Sequence, residues 1–518
     1  MDVHMSEKHT VTVRGSEARA ALLAGATAIA DVVATTMGPA GSTVIIRDHA
    51  GKTVATKDGA TVSASIRPKS IPEAMGADIV RAASEKTAER AGDGTSTCAV
   101  IAAAMMKQAN KALTANVSQM SLRREFAPAC SKLLSQLRKQ ARPVRDESEL
   151  KRVALIASNG DDALASAVTE AVVSAGSAGK IQLTDAEAGP PSTTVTDGVF
   201  VRAEILSGHF ANVTGKLACA GDDALIIVSR GKLSSFDGLL NVMRAAAEKR
   251  VALVLLFTDF EQSAFQALVE NRSRGALNVF ACKLGRVSYD EVTDIASAVG
   301  ASPFDADGRD EAVCGHLKRF CADKKGLSVV PADKNLPPAV ATELCARAAE
   351  SHDPRERAAL LLRAASLASK HAVVAVSAPT QAELTEIRHR AEDAIAACRA
   401  AAEAGVTRGA GAALLDALSE TDLSEFSKDT AEILRAGAEA PLSAILMNAG
   451  KSLDWFGAVR KSKSDVYDAA ADAITSSDHI VDCALAPITA LESAASAVRT
   501  FIATSAIVYE EDVELPKK

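Results

Sequence analysis

Residues 92–97 read Gly92-Asp93-Gly94-Thr95-Ser96-Thr97, and an alanine-rich apolar run, 98–113, follows without a break. Two glycines flank one carboxylate, three hydroxyl residues come next, and the run behind them has the composition of a helix. Glycine lets backbone approach a ligand closely, and the first N–H groups of a helix lack partners within it, so such a start attracts anions. A carboxylate cannot bind phosphate, but it can hold the Mg²⁺ that neutralises it. The order suits a site for nucleotide phosphates. A capped turn before a core helix has the same composition, so the surrounding sequence must decide.

Upstream, 16–37 carries a broad apolar stripe at helical spacing, stopped by Gly38-Pro39. Two short β-branched segments, 42–47 and 52–56, predict extended chain, and Lys57-Asp58-Gly59 closes them with a turn. Helices are expected from 72 to 142, interrupted by the opening motif. Between 181 and 330 the texture changes. Short β-like runs (181–183, 224–228, 251–257, 277–283) alternate with helical stretches at 234–249 and 261–274. After 354 the pattern is helical again, apart from 371–376. This predicts a multi-domain α+β protein with an α/β domain inserted into a mainly helical one.

Composition narrows the classes. A chain of 518 residues exceeds one ordinary core and predicts two to four domains. It is 48% hydrophobic but only 3% aromatic, which favours small aliphatic side chains and close helix packing. Its net charge of −7, without a basic stripe, argues against a nucleic-acid partner. The nine cysteines (Cys98, Cys130, Cys219, Cys282, Cys314, Cys321, Cys345, Cys398, Cys483) are scattered with no C-x-x-C pair, as small buried hydrophobes in a reducing compartment would be. No apolar run is long enough for a bilayer, and the first ten residues lack a signal core. A cytoplasmic protein without a membrane partner is expected.

Four separated segments carry nucleotide-site chemistry: Thr36-Met37-Gly38-Pro39, Thr56-Lys57-Asp58-Gly59, the opening motif, and Glu392-Asp393 followed by Gly405 and Gly409-Ala410-Gly411. Each also has a plain reading, since Gly-Pro and Asp-Gly are common turns and a Glu-Asp pair in a helix is usually solvated.

In this order the set resembles the GroEL-like group I chaperonins of bacteria and organelles. The likeness covers nearly the whole chain and is strongest in ATTMGPAGSTVIIRD, TKDG, MGADIVRAASEKTAERAGDGTST, AEDAIAACRAAAEAG and APLSAILMNAG. It implies an equatorial ATP-binding domain (1–139 and 404–518), a small α/β intermediate domain (140–195 and 372–403) and an apical substrate-binding domain (196–371). It further implies ATP, Mg²⁺ and K⁺ as a candidate second ion, and a homo-oligomeric ring, sevenfold, single or double, whose clients are non-native proteins. Carried over, Asp93 is the metal carboxylate, and Gly94, Thr95, Ser96 and Thr97 are the phosphate cradle. Thr36, Gly38 and Pro39 touch nucleotide; Lys57, Asp58 and Gly59 form a second phosphate-side turn, with Asp58 in a catalytic role. Asp393 is the carboxylate that swings in to support hydrolysis. Ile205, Phe210, Leu240, Met243, Phe265 and Val269 match the apolar client groove.

The chain also departs from that pattern. The family's triple glycine reads Gly409-Ala410-Gly411, its base-side asparagine is Asp468, and its ribose aspartate is read as lost at Ala486, so weaker or less selective adenosine binding is expected. Glu204, His209 and Glu270 make the groove more polar, which puts both generic client capture and a cochaperonin in doubt. Ser443 and Ser452 replace a pair that joins stacked rings, and an acidic segment, 510–518, replaces the flexible tail. Three readings follow: a refolding chaperonin, a ring of the same fold with a scaffold or specialised-client role, and a metal-dependent phosphotransferase acting on a small molecule.

Overall fold

The computed structural model describes residues 6–47, 53–176, 180–186, 188–213, 217–305, 311–323, 326–351, 353–367, 370–452, 455–461, 465–476 and 478–514. The chain forms two compact units. One comprises Met1–Thr169, Asp185–Ser192 and Val376–Lys518; the other comprises Glu170–Thr184 and Thr193–Ala375. The first gathers the stretches expected to be equatorial together with most of those expected to be intermediate.

The first unit is built from long helices: Gly15–Ala34, Ile71–Ala91, Thr95–Thr114, Gln119–Lys139, Gln381–Ala404, Lys428–Asn448 and Leu485–Ala503. Ile29, Ile101, Met105, Phe126, Leu434, Val498 and Phe501 are fully buried in its main core. The abundance of small residues has a direct consequence here. A β-carbon on Gly25 would overlap the Glu73 carbonyl, and one on Gly76 would overlap that of Leu22, so the first two helices cross backbone to backbone. Interiors this dense forfeit stability for each misplaced methyl group.

Short strands edge this unit. The expected extended segments form a hairpin, Val44–Arg47 with Thr53–Thr56; Lys52 lies outside the described residues. Three further strand pairs were not read from the sequence: Val406–Arg408 with Val481–Cys483, Asp465–Asp468 with Ala473–Ser476, and Ser6–Arg14 with Ala506–Glu514. The acidic C-terminal segment is thus a strand as far as Glu514, and 515–518 lie outside the described residues. The three- and four-residue strands carry too little alternation to register, and Val406–Arg408 and Ser6–Arg14 pair with segments far along the chain.

The second unit centres on a seven-stranded mixed sheet. In sheet order its strands are Val199–Val201, Leu327–Pro331, Gly315–Ala322, Cys219–Val228, Ala252–Phe257, Val279–Leu284 and Ala203–Ile205. The parallel core, Cys219–Val228 beside Ala252–Phe257 beside Val279–Leu284, is the apolar series expected from the sequence. Ala252–Phe257 is buried at every position, as a strand covered on both faces must be. Helices Leu240–Lys249 and Gln262–Ser273 accompany it, the first beginning later than expected because residues Asp237–Leu239 form a 3₁₀ turn. Among the described residues no helix is long and apolar enough to cross a membrane. No disulfide joins the cysteines among the described residues, and seven of the nine are buried.

Candidate functional site

The opening motif joins two helices through two left-handed glycines. Gly92 ends Ile71–Ala91 at φ +71°, with its N–H on the Ala88 carbonyl at 2.9 Å. Gly94 begins Thr95–Thr114 at φ +90°. An L-residue at either position would carry about 1–2 kcal/mol of strain, which explains the spacing of the glycines. No side chain caps the helix at Gly94, so helical geometry leaves the N–H groups of Thr95, Ser96 and Thr97 to an outside acceptor. Asp93 is exposed, and its Oδ1 accepts the Gly94 N–H at 2.5 Å.

The second turn meets the first. Asp58 caps helix Gly59–Ser65, accepting from Ala60 N at 3.0 Å, from Thr61 N at 2.9 Å and from the Thr61 hydroxyl. Gly59 is buried, and a β-carbon there would overlap the Ser96 hydroxyl and lie 3.3 Å from that of Thr95. Lys57 stands half-buried beside it.

Asp393 arrives on Gln381–Ala404, one turn before Ala396, whose methyl group rests where a β-carbon of Gly92 would be. Burial, then the charges of Asp93, Asp58 and Glu392, push the Asp393 carboxyl up to about 8. The Asp93 carboxyl is also raised, by surrounding protein and by Asp58, against the lowering effect of the Gly94 N–H. Carboxylates placed like this favour protons or a cation. Among the described residues no three His, Cys, Asp or Glu side chains converge on one metal-sized point. That arrangement fits Mg²⁺, which takes one or two carboxylates and completes its shell with phosphate oxygens and water.

A third part stands on strand pair Val406–Arg408 and Val481–Cys483. Ala410 is left-handed at φ +55° and Gly411 at φ +77°, so the alanine in the middle of this loop holds a conformation its methyl group disfavours. The Ala410 N–H bonds Asp482, and a β-carbon on Gly409 would come within 3.0 Å of Asp482 Oδ1. Burial and the Asp93 charge push the Asp482 carboxyl up to about 7. The sequence does not single out Asp482, which stands beside this loop as a carboxylate separate from the position expected to be lost at Ala486. Ala486 sits in helix Leu485–Ala503 with its carbonyl against Gly94. The overlooked signal was Val481-Asp482-Cys483, an apolar–acid–apolar triplet directly before a helix.

The remaining positions divide. Thr36 is 8% exposed and donates its hydroxyl to the Val33 carbonyl at 2.8 Å, so its remaining capacity is as an acceptor. Gly38 (φ +76°) and exposed Pro39 form the open part of that turn. Asp468 is half-buried, with Oδ1 accepting from Ala470 N at 2.8 Å and Ala471 N at 3.1 Å. Met37, Ala410, Ala469 and Ile480 share one apolar cluster with Tyr467, which joins this turn, the glycine loop and the Asp468 hairpin.

In the second unit Leu240 is 50% exposed, and Met243, Phe265 and Val269 are partly exposed. Ile205 (4%) and Phe210 (0%) lie in the core beneath them, Phe210 edge-on to Phe265 at 6.0 Å. Those two offer no capture surface, which corrects their assignment. Each has an apolar neighbourhood in the sheet core that outcompetes exposure.

Comparison with known proteins extends this picture. The chaperonin gp146 of bacteriophage EL 2 (Pseudomonas aeruginosa), crystallised in the presence of ATP-BeFx, superposes with a TM-score of 0.71 at 21% identity, over 97% of this chain and 99% of that one. A second crystal form of the same chaperonin gives 0.67 at 21% identity, over 96% and 99%. At that identity the likeness is one of fold. The model of the TCP-1/cpn60 chaperonin family matches residues 29–512. With so much of its length matched, the chain belongs to the TCP-1/cpn60 chaperonin family.

Proposed function

We propose that this chain is the subunit of an ATP-hydrolysing chaperonin ring that binds non-native proteins and assists their folding. The observation that carries the reading is Asp393, held among Asp93 and Asp58 by the docking of Ala396 on Gly92. In phosphoryl transfer a protein mainly positions water, metal and phosphate. The uncapped N–H groups of Thr95–Thr97 and their hydroxyls would receive the phosphates, and Lys57 would add a cation beside them. Asp93 would hold Mg²⁺, which when bound neutralises phosphate oxygens. Asp58, immobilised by the Ala60 and Thr61 N–H groups, adds fixed negative charge at that metal. Asp393, ionised when a cation at Asp93 would offset the burial and the neighbouring negative charges, is the group placed to orient an attacking water. Asp482 and the Gly409–Ala410–Gly411 loop receive the nucleoside side, and Asp468, tied to its own turn, holds the hairpin there.

The same proposal includes the three-part division expected from the sequence, K⁺ as the second ion, cytoplasmic operation, and a sevenfold ring, single or double. Its test is recovery of a denatured enzyme with and without ATP. Recovery that requires ATP supports it, and ATP turnover with no recovery across several clients contradicts it.

A second reading keeps the ring and assigns a specialised client or scaffold role. It is favoured by the groove itself: two of its six expected apolar residues are buried, and exposed Glu270 pairs with Arg274 at 2.5 Å. Exposed apolar area, at about 25 cal/mol per Å² buried, is what captures unfolded chains, and this groove has little. A cochaperonin that docks on the same face loses the same contacts.

A further inference from the structure

Arg408 ends the short strand Val406–Arg408 and stands directly before the Gly409–Ala410–Gly411 loop. Its guanidinium reaches two other elements. Nη1 donates to Asp416 Oδ2 on helix Ala412–Glu420, which begins as the loop ends. Nη2 donates to the Asp465 carbonyl, where the hairpin of Asp465–Asp468 with Ala473–Ser476 starts. In the strand pair Arg408 lies opposite Val481, the residue before Asp482. Arg408 thus joins the glycine loop, the Asp482 strand and the Asp468 hairpin.

The contacts form a clamp rather than a solvated surface pair. The Arg408 and Asp416 side chains are 14% and 19% exposed, so water and salt screen them little. A planar guanidinium presents its N–H groups in fixed directions, which lets one residue hold a carboxylate and a carbonyl together. What it encloses needs holding. Ala410 is left-handed at φ +55° and Gly411 follows at φ +77°. A residue with a side chain keeps such a backbone only where its surroundings over-determine it. Asp482 fixes the middle of the loop through the Ala410 N–H, and Arg408 and Asp416 fix its two ends. The phosphate side is built elsewhere, at the helix starts of Gly59 and Thr95 and on the Asp393 helix.

We infer that Arg408 is a positioning residue for the nucleoside. Resting on the assignment of Asp482 and this loop to the nucleoside side, it sets loop and hairpin so that the site prefers ATP to bare triphosphate. Mg·ATP and inorganic triphosphate, each titrated calorimetrically into the full chain, test this beside the KM and kcat of phosphate release. Arg408→Gln is expected to weaken ATP about tenfold and raise KM equally, with triphosphate affinity and kcat within about twofold. Arg408→Lys keeps a charge beside Asp416 but loses the planar fork. It should fold and weaken ATP about threefold, again without affecting triphosphate. The lysine variant decides if the glutamine variant does not fold. A role in stability alone would lower the unfolding temperature and weaken both ligands alike. Equal loss for ATP and triphosphate, or unaltered ATP affinity in a folded variant, therefore overturns the inference. An unaltered chain that binds ATP no more tightly than triphosphate contradicts the nucleoside-side assignment itself, and the role of Arg408 falls with it.

Discussion

The methyl group of Ala396 occupies the space where a β-carbon of Gly92 would lie. The turn that presents Asp93 and the helix that presents Asp393 therefore meet at a point where only hydrogen fits. Gly92→Ala adds a methyl group there and places an L-residue at φ +71°. It is expected to hold the Asp393 helix off the turn, slowing ATP hydrolysis about tenfold or more while nucleotide affinity changes little. Steady-state phosphate release and calorimetric binding, measured on the same preparation, check this. Loss of binding in step with turnover would place the contact in the cradle itself.

Asp482 is assigned to the nucleoside side of the site. Asp482→Ala removes a half-buried carboxylate that accepts the Ala410 N–H. A charge-assisted hydrogen bond contributes about 1.5–3 kcal/mol, so ATP affinity is expected to fall about tenfold to a hundredfold. The rate at saturation should change far less. Titration with ATP and with bare triphosphate separates the two sides, since only ATP should respond.

The raised carboxyls predict a pH dependence in the protein free of metal and nucleotide. Asp393 titrates at about 8 and Asp482 at about 7, against about 3.9 for an unfolded aspartate. Between those values the folded chain retains protons that the unfolded chain has released. Stability from these groups is therefore intact below about pH 4 and is lost as pH rises through 7 to 8. Asp393→Asn removes the penalty, so it should raise the unfolding temperature by about 2–4 °C at pH 8 and by nothing at pH 4. A shift of equal size at both pH values would contradict the assignment.

The polar groove predicts weak generic capture. Glu270→Val removes an exposed carboxylate paired with Arg274 and adds apolar area beside Val269 and Phe265. Burying about 60–100 Å² more of a client there adds about 1.5–2.5 kcal/mol, so retention of a denatured client should rise about tenfold to seventyfold. Unchanged retention would move client binding elsewhere.

Much of the phosphate side was legible because its chemistry is local. The glycines at 92 and 94 and the turn Lys57-Asp58-Gly59 announce their backbone conformations in the residues themselves, and the structure gives both glycines φ above +70°. The parallel strands of the second unit were legible as apolar runs. Asp482 was not, because a three-residue strand has no periodicity and its partner, Val406–Arg408, lies more than seventy residues earlier. Ile205 and Phe210 were misplaced because an apolar residue reads the same whether it meets a client or its own core. Ala410 shows the opposite case: the departure from glycine was visible, but the left-handed strain it carries required the backbone.

The central claim is that Asp393 completes an ATPase site begun by Asp93. Phosphate release from Mg·ATP by the full chain, for the unaltered protein and for Asp393→Ala, tests it most directly when nucleotide binding is measured in parallel. The account predicts that Asp393→Ala binds ATP within about threefold of the unaltered chain and hydrolyses it about a hundredfold more slowly or worse. Turnover within about twofold of the unaltered chain would contradict it.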